Sequence, residues 1–272
     1  MTIDYRMEGD VAIVTLDRPD KYNSVSSDLS RGLIEAITRA STESRAMILT
    51  GAGKAFCAGA DLSGVMSDYE TGGPDLASLI DDQFNPMVQA LVDAPVPTIA
   101  AVNGVAAGAG LGLALACDIR VMSSQAYFLS AFIALALIPD TGSTWLLVHH
   151  LGLGRALEFT ATNRRMPAEE VAALGLATVC SPEELLTRAV MLGGELTAGP
   201  TSAYAANRKI LFEAAASNFS TALEAERVTQ GELGTTALHL EGMSAFLRGG
   251  GLPLSLRPEL TKCWRDCGPT AQ

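Results

Sequence analysis

The chain has 272 residues, of which 48% are hydrophobic and 18% are charged. This composition excludes an intrinsically disordered chain, and the length suits one large domain or a main domain with a smaller appendage. The 19 basic and 30 acidic residues give a formal net charge of −11. Because an acidic surface repels nucleic acids and no run of lysines and arginines offsets it, we expect no nucleic-acid partner.

Cysteine and histidine usage predicts a reducing cytoplasm and no metal centre. The five cysteines are odd in number and include no CxxC pair, which argues against a disulfide framework. The three histidines are the adjacent pair His149 and His150 and the distant His239, too few to favour zinc or non-haem iron. The N-terminal MTIDYRMEGD has no basic segment followed by an apolar run, so no secretory signal is expected.

Short strands and helices alternate over the first half of the chain. The β-rich apolar run Val11–Leu16 and the turn residues after it predict one strand of a hairpin. Ser27 or Asp28 can cap a helix that runs to about Ala40. In chain order, the further predictions are a buried strand at 46–50, a mobile polar loop at 66–76, a helix at 79–92, a strand at 97–102, a helix at about 108–116 and a strand at 119–122.

The segment 94–117 contains no charged residue. Its glycines Gly104, Gly108 and Gly112, at four-residue spacing, are also typical of a transmembrane dimerisation face. Two prolines lie near its start, however, and aspartates flank it where a membrane span favours lysine or arginine. We therefore expect a buried strand followed by a tightly packed helix, and no contact with a membrane.

The pattern after Pro139 is helical to the end of the chain. Helices are predicted at 143–151, 167–174, 182–196, 202–217 and 219–238. Together with the earlier alternation, this predicts an α/β core over residues 1–195 with mostly parallel sheet pairing. A helical region over residues 196–272 follows it.

Two glycine-rich motifs fail as nucleotide-binding signatures. Around Gly53 and Lys54, a phosphate-binding loop needs a glycine where Ile48 stands and a serine or threonine where Ala55 stands. The GAGLGL run has Leu113 where a dinucleotide-binding fingerprint needs glycine. Neither motif therefore predicts a nucleotide site.

Two strand-to-turn elements, at 55–61 and 103–110, consist largely of small residues that leave backbone N–H groups uncovered. Two such turns facing each other can present their N–H groups to one oxygen atom, as an oxyanion hole does. The small residues could instead serve close packing alone, without a binding role. The spacing by itself favours that simpler interpretation.

Six blocks of the sequence occur in the order typical of one enzyme superfamily. They are VTLDRPDKYNSV, ILTGAGKAFCAGADL, AAVNGVAAGAGLGLALACD, LIPDTGSTWLL, LGLGRALEFTATNRRMPAEEVAALGLA and EGMSAFL. On these blocks the chain resembles the enoyl-CoA hydratase/isomerase (crotonase) superfamily over nearly its whole length. The resemblance implies an α/β spiral of ββα units with a C-terminal helical region that builds trimers or hexamers. It also implies acyl-CoA thioester substrates and no metal or redox cofactor, coenzyme A being part of the substrate.

The resemblance assigns the thioester oxygen to the backbone amides of Ala60 and Ala109. Hydratases of the superfamily use two glutamates, whose positions align here with Gly112 and Phe132. Neither of these residues can take or give a proton. Asp140, in the LIPDTGS block, matches the single carboxylate of phenylacetate-pathway-type and Δ3,Δ2-enoyl-CoA isomerases.

Asp140 has alternative roles. Because it precedes a predicted helix, its side chain can act as an N-cap. Burial would raise its pKa and a helix N-terminus would lower it, and the sequence leaves this balance open. The same position is the nucleophile of 4-chlorobenzoyl-CoA dehalogenases, but Phe132 and Asn85 stand about where those enzymes have a tryptophan and a histidine base.

The resemblance also implies contacts with the acyl group and coenzyme A. Lys54 matches a phosphate-contacting lysine, and Arg248 is the cation left in a stretch where relatives often carry lysines. Asp61 follows the first oxyanion amide and is expected to fix that turn. The implied substrate and CoA contacts are Lys21, Tyr22, Lys54, Ala58, Asp61, Leu62, Phe132 and Arg248.

The sequence thus predicts a cytoplasmic, trimeric or hexameric acyl-CoA isomerase that converts 3-enoyl-CoA to 2-enoyl-CoA through Asp140. One alternative is an enoyl-CoA hydratase of fatty-acid β-oxidation that acts through Asp140 alone. Another alternative is an acyl-CoA-binding protein without catalysis.

Overall fold

The computed structural model describes residues 2–64, 66 and 68–248. The chain divides into two compact units, Met1–Gly193 and Gly194–Gln272, and the division falls inside the helix Leu185–Thr197. The glycines that follow Arg248, residues 249–251, and the cysteines Cys263 and Cys267 lie outside the described residues.

Strands and helices alternate in the first unit as expected, and the α/β class is confirmed. The strands are β1 (Ile3–Glu8), β2 (Val11–Leu16), β3 (Ala46–Gly51), β4 (Ala55–Cys57), β5 (Thr98–Val102), β6 (Val105–Ala107), β7 (Ile119–Ser123), β8 (Tyr127–Leu129), β9 (Arg165–Pro167) and β10 (Thr178–Cys180). The helices up to the division are α1 (Ser27–Glu43), α2 (Leu76–Leu79), α3 (Asn85–Val92), α4 (Ala109–Ala116), α5 (Ser143–Leu151), α6 (Leu153–Thr162), α7 (Ala168–Ala173) and α8 (Leu185–Thr197).

The larger sheet has the strand order β1-β2-β3-β5-β7-β10. β1 and β2 form the expected antiparallel hairpin, and every other neighbouring pair in this sheet is parallel. β2, β3 and β5 are buried almost throughout, as parallel strands are when both faces of the sheet are covered. The mostly parallel pairing predicted from the sequence is therefore confirmed.

Helix α1 begins one residue earlier than the sequence indicated. Its N-cap is Ser26, whose hydroxyl oxygen accepts a hydrogen bond from the backbone N–H of Leu29 at 3.3 Å, so the expected cap at Ser27 or Asp28 is wrong. The helix also runs on to Glu43, beyond the predicted end at Ala40.

The smaller sheet determines where three turns meet. Its strand order is β4-β6-β8-β9, and β4, β6 and β8 are parallel to one another. Because carboxyl ends of parallel strands lie at one edge of a sheet, the turns that begin at residues 58, 108 and 130 leave from the same edge.

The uncharged segment 94–117 divides into β5, β6 and α4. Every residue of α4 is buried, which confirms the expected tightly packed helix after a buried strand. Within the described ranges, no helix is both long enough and apolar enough to cross a membrane.

The region after Pro139 is not helical throughout, because it also contains β9 and β10. Each of these strands has three residues, too few to establish an alternating pattern in the sequence. β9 joins the smaller sheet through antiparallel pairing of the buried Met166 with Phe128 of β8.

The predicted loop at 66–76 contains a 3-10 turn at Asp68–Thr71, and residue 67 lies outside the described residues. The helix predicted at 79–92 corresponds to α2 and α3, which are joined by a π-helical segment at Ile80–Phe84.

The second unit contains α9 (Thr201–Ala216), α10 (Phe219–Leu233) and α11 (Ala237–Leu247). The single helix predicted at 219–238 is therefore wrong. The chain leaves the helical path after Leu233 and starts again at Thr236, whose hydroxyl oxygen caps α11 by accepting from the N–H of His239 at 3.2 Å.

Candidate active site

The turns that follow β4 and β6 are in direct contact. A Cβ atom at Gly59 would lie 3.6 Å from the Cα of Gly108 and 3.6 Å from the backbone nitrogen of Ala109. Both glycines have positive φ, +95° and +54°, a conformation that residues with a side chain rarely adopt. The two strand-to-turn elements are therefore adjacent in space.

Ala60 and Ala109 lie on either side of this contact. Val25 brackets Ala60 through two bonds, donating to the Gly59 carbonyl at 2.7 Å and accepting from the Asp61 N–H at 2.8 Å. Since peptide groups alternate along an extended chain, the N–H of Ala60 is directed away from Val25. Ala109 is the first residue of α4, where backbone N–H groups have no acceptor within the helix.

Phe132 lies against the same turn. The end of its ring would be 3.8 Å from a Cβ atom at Gly108, and its side chain is half-buried. The chain therefore presents an apolar surface beside the amide of Ala109.

Asp140 occupies the loop before α5 and is half-buried. Its backbone carbonyl accepts from the N–H of Ser143 at 2.8 Å, but the N-cap residue of α5 is Gly142, and no side chain caps the helix. The carboxylate is thus not used as a helix cap. Burial raises the pKa of Asp140 above the ordinary value, opposed by a hydrogen bond from the Thr141 hydroxyl and by the residue's own N–H. Desolvation therefore outweighs the effects that lower the pKa of Asp140, which the sequence alone could not decide.

Helix α4 packs directly onto the turn that carries Asp140. A Cβ atom at Gly112 would lie 2.5 Å from the carbonyl oxygen of Thr141 and 3.0 Å from the hydroxyl oxygen of Ser143. Because Ala109 and Gly112 are three residues apart, they share one face of α4. This face therefore links the Ala109 amide to the Asp140 turn.

Two hydroxyl groups near these turns are fully buried. Ser143, at the start of α5, and Ser130, which follows β8, are both 0% exposed. Their hydroxyl oxygens have no hydrogen-bond partner among the described residues. A buried polar group without a partner destabilises the fold, so both positions stand out from the apolar core around them.

Asp61 is tied into the first turn by two neighbours. It accepts hydrogen bonds from the hydroxyl and N–H of Ser63, and Arg18 forms a 2.6 Å ion pair with its other oxygen. The Ser63 hydroxyl and the Arg18 guanidinium together hold the pKa of Asp61 down to about 2. Arg18 also donates to the carbonyl of Ser24 at 2.6 Å, which fixes the segment next to Val25.

Sequence reasoning missed two asparagine side chains, one buried and one half-buried, that join these turns. Asn23, 0% exposed, donates to the carbonyls of Ala52 and Ala55 and accepts from the N–H of Arg18. Asn103 donates to the carbonyl of Ala55 at 3.1 Å. For Asn103 the available signal was an uncharged polar residue directly after an apolar strand, a place where side-chain amides commonly satisfy turn backbone groups.

The predicted coenzyme A contacts fall into two groups. Tyr22 accepts from the N–H of Ala58 at 3.0 Å, and a Cβ atom at Gly53 would lie 3.0 Å from Pro19. These contacts place residues 19–22 beside residues 53–58. The first group consists of exposed side chains: Lys21, Tyr22, Lys54 and Leu62. Arg248 belongs to the second unit and follows α11.

Among the residues that the structure describes, no group of three or more histidine, cysteine, aspartate or glutamate side chains could hold a metal ion. Cys57 is fully buried, and burial raises the pKa of its thiol to about 12. This thiol is therefore protonated and unreactive at neutral pH.

The family follows from how much of the chain one family model matches. A family model described as enoyl-CoA hydratase/isomerase matches residues 6–250. The chain belongs to the enoyl-CoA hydratase/isomerase family. Its fold agrees with that of a solved enoyl-CoA hydratase from Polaromonas sp. JS666, with a TM-score of 0.85, 31% identity and coverage of 92% of this chain and 98% of that one.

Relatives in the enoyl-CoA hydratase/isomerase family carry both kinds of name. A Rhodobacter capsulatus protein named "Probable enoyl-CoA hydratase" is 38% identical, over 90% of this chain and 95% of its own length. The 1,2-epoxyphenylacetyl-CoA isomerase of Escherichia coli K12 is 37% identical, over 89% of this chain and 93% of its own length. Similarity alone therefore identifies an enzyme of the hydratase/isomerase family without choosing between the two reactions.

Proposed function

We propose that this protein is an acyl-CoA isomerase that converts a 3-enoyl-CoA into the 2-enoyl-CoA. The observation that carries the proposal is the half-buried carboxylate of Asp140 on the turn packed against α4. Where hydratases of the family have their two glutamates, this chain has Gly112 and Phe132. The similarity to the E. coli 1,2-epoxyphenylacetyl-CoA isomerase supports the same choice.

The reaction consists of two proton transfers. Asp140 takes a proton from the α-carbon, and the electron pair of the broken C–H bond delocalises onto the thioester oxygen and, through the β,γ double bond, onto the γ-carbon. The N–H groups of Ala60 and Ala109 stabilise this dienolate, and losing one such donor costs about 2.7–4 kcal/mol in an oxyanion hole. Protonated Asp140 then gives its proton to the γ-carbon, which leaves the double bond between the α- and β-carbons.

The surroundings of Asp140 suit a group that must both accept and donate a proton. Burial raises its pKa towards the working pH, which makes it a stronger base and keeps the protonated form accessible. Phe132, whose ring lies against the Gly108 turn, keeps water from the dienolate, whereas a hydratase needs a positioned water molecule at this point. The same chemistry uses no metal or redox cofactor, since coenzyme A arrives as part of the substrate.

A second candidate is an enoyl-CoA hydratase of fatty-acid β-oxidation that acts through Asp140 alone. The 38% identity to the R. capsulatus protein favours it. In that case Asp140 would activate water for addition to a 2-enoyl-CoA. A third candidate is an acyl-CoA-binding protein that uses the same binding residues but catalyses no reaction.

We also propose a cytoplasmic homotrimer or hexamer assembled through the helices of the second unit. Its support is the number of exposed apolar side chains there, with Phe219, Phe246 and Leu247 each more than 70% exposed. Sedimentation of the purified protein tests the assembly, and a monomer at micromolar concentration would contradict it.

The deciding experiment incubates wild type and Asp140→Asn separately with a 3-enoyl-CoA and a 2-enoyl-CoA. Double-bond migration that falls at least 100-fold in Asp140→Asn supports the isomerase. Rapid formation of 3-hydroxyacyl-CoA from the 2-enoyl substrate supports the hydratase instead. Binding of acyl-CoA without either reaction supports the third candidate. Asp10→Asn, which changes an exposed carboxylate in the β1–β2 turn, is the matched control.

A further inference from the structure

We propose that Thr141 is a positioning residue that keeps the proton in transit on one oxygen of Asp140. Its hydroxyl donates to Oδ1, which leaves Oδ2 as the oxygen that takes the proton from the α-carbon and returns it to the γ-carbon. The inference rests on the proposed isomerase function and deepens it.

The contact between the two side chains is short and buried. Thr141 Oγ1 lies 2.7 Å from Asp140 Oδ1, and Thr141 is 1% exposed. Among the described residues, no second side chain is hydrogen-bonded to this carboxylate. The two oxygens of Asp140 are therefore chemically different, since Oδ1 has a side-chain donor and Oδ2 does not.

The backbone at Thr141 is strained. Its φ of +52° lies in the left-handed region, where a β-branched residue is a rare outlier. Gly112 fixes this conformation from the other side, because the Thr141 carbonyl and Cβ fill the space where a Cβ at position 112 would be. Glycine would fit position 141 without strain, so the threonine side chain points to a function of its hydroxyl.

The hydrogen bond persists through the whole reaction only when the proton travels on Oδ2. With the proton on Oδ2, Oδ1 is a carbonyl oxygen and still accepts from Thr141. With the proton on Oδ1, that proton would face Thr141 Oγ1, and the buried threonine hydrogen would lose its acceptor. Leaving a buried donor unsatisfied disfavours that state about ten-fold or more.

Isotope transfer measures this control directly. A 3-enoyl-CoA that carries deuterium at the α-carbon is converted in ordinary water, and the deuterium that reaches the γ-carbon is counted. Wild type and the conservative Thr141→Ser are expected to transfer the label alike. Thr141→Val, which keeps the shape and removes the hydroxyl, is expected to lose at least half of the transferred label and about ten-fold in kcat, with KM nearly unchanged.

The pH profile gives a second readout that a purely structural role would not move. The Thr141 hydroxyl lowers the pKa of Asp140, so its removal raises that pKa, and the acid limb of the rate profile moves to higher pH. Thr141→Gly removes the hydroxyl at a position whose φ suits glycine, so it serves if Thr141→Val fails to fold. Unchanged label transfer together with an unchanged pH profile in these variants would overturn the assignment.

Failure of this inference and failure of the proposed function are distinguishable. Titration of the Asp140 carboxyl carbon by NMR needs no turnover. If wild type moves no double bond, the isomerase proposal fails by itself. In that case an Asp140 titration that is the same in wild type, Thr141→Val and Thr141→Gly would also overturn the role of Thr141. A titration that is shifted in the two variants would support the contact between Thr141 and Asp140, so that only the isomerase proposal would be overturned.

Discussion

The carbonyl oxygen of Thr141 lies 2.5 Å from the position that a Cβ atom would occupy at Gly112. Real Cβ atoms essentially never approach another heavy atom closer than 3.0 Å, so a side chain at 112 and this turn exclude each other. The resemblance to the family aligns this position with a hydratase glutamate. The missing glutamate and the buried turn that carries Asp140 are therefore two aspects of one packing arrangement.

We expect Gly112→Glu to unfold or displace the Asp140 turn without creating a hydratase. Overpacking and a buried charge together lower the free energy of unfolding by about 3 kcal/mol or more, measurable by urea denaturation. Gly154→Glu is the control, because nothing lies within 4 Å of a Cβ atom at Gly154. A stable Gly112→Glu protein that forms 3-hydroxyacyl-CoA would show that the turn and the glutamate can coexist.

Asp140→Asn is expected to stabilise the protein while it removes activity. The folded pKa of Asp140 is raised above its unfolded value, so its charge destabilises the folded state at pH values above the folded pKa. This destabilisation disappears as pH falls below the unfolded value, about 3.9. The melting temperature of Asp140→Asn should therefore exceed that of wild type at pH 7, by a margin that shrinks towards pH 4. A margin that grows on acidification would contradict the burial of this carboxylate.

Arg18→Gln tests the anchoring of the Ala60 amide through Asp61. We expect a loss of about 1–2 kcal/mol in the free energy of unfolding at pH 7, since the pair with Asp61 is only partly exposed. Displacement of the amide should also lower kcat about ten-fold. Arg31→Gln removes the exposed pair with Asp28 and should change stability by less than about 0.5 kcal/mol.

The same ion pair predicts a pH dependence. The Ser63 hydroxyl and, to a smaller extent, Arg18 lower the pKa of Asp61 to about 2, so the stabilisation by its charge is fully present above the unfolded value of about 3.9 and is lost as pH falls towards 2. The stability difference between wild type and Arg18→Gln, followed by urea denaturation, should therefore narrow below about pH 4. A difference that stays constant down to pH 2.5 would mean that Arg18 stabilises the turn through its other contacts.

Ser143→Ala is expected to raise the free energy of unfolding by about 1 kcal/mol, because the buried hydroxyl has no partner among the described residues. Ser30→Ala is the matched comparison, since the equally buried Ser30 hydroxyl donates to the carbonyl of Gln83 at 2.7 Å. The Ser30→Ala substitution should lower the free energy of unfolding by about 1 kcal/mol. Thermal and urea unfolding measure both changes. Destabilisation of Ser143→Ala would mean that a buried water satisfies its hydroxyl.

Long periodic elements could be predicted from the sequence, and short ones could not. Val11–Leu16 and Ser143–Leu151 have the predicted bounds, because an apolar run or a helical period extends over several residues. The three-residue strands β9 and β10 were missed, since pairing with a neighbouring strand defines them. The break between α10 and α11 depends on a single cap at Thr236, a signal that the surrounding helical pattern conceals.

The candidate site divides in the same way. Asp140 and the two turns could be selected from their residue types and order, whereas Thr141, Arg18 and the two asparagines could not. Their importance lies in contacts between segments: Asn23 and Asn103 both donate to the carbonyl of Ala55 from positions 80 residues apart. No local pattern encodes such a pairing.

By itself, the sequence determined the family and the α/β alternation, because these depend on residue identity and order. Only the tertiary structure decided that Asp140 is half-buried with a raised pKa, that Thr141 holds one of its oxygens, and that Gly112 leaves room for their turn. Desolvation, hydrogen-bond geometry and steric exclusion all act between segments that are distant along the chain, and folding alone brings these segments within a few ångströms of one another.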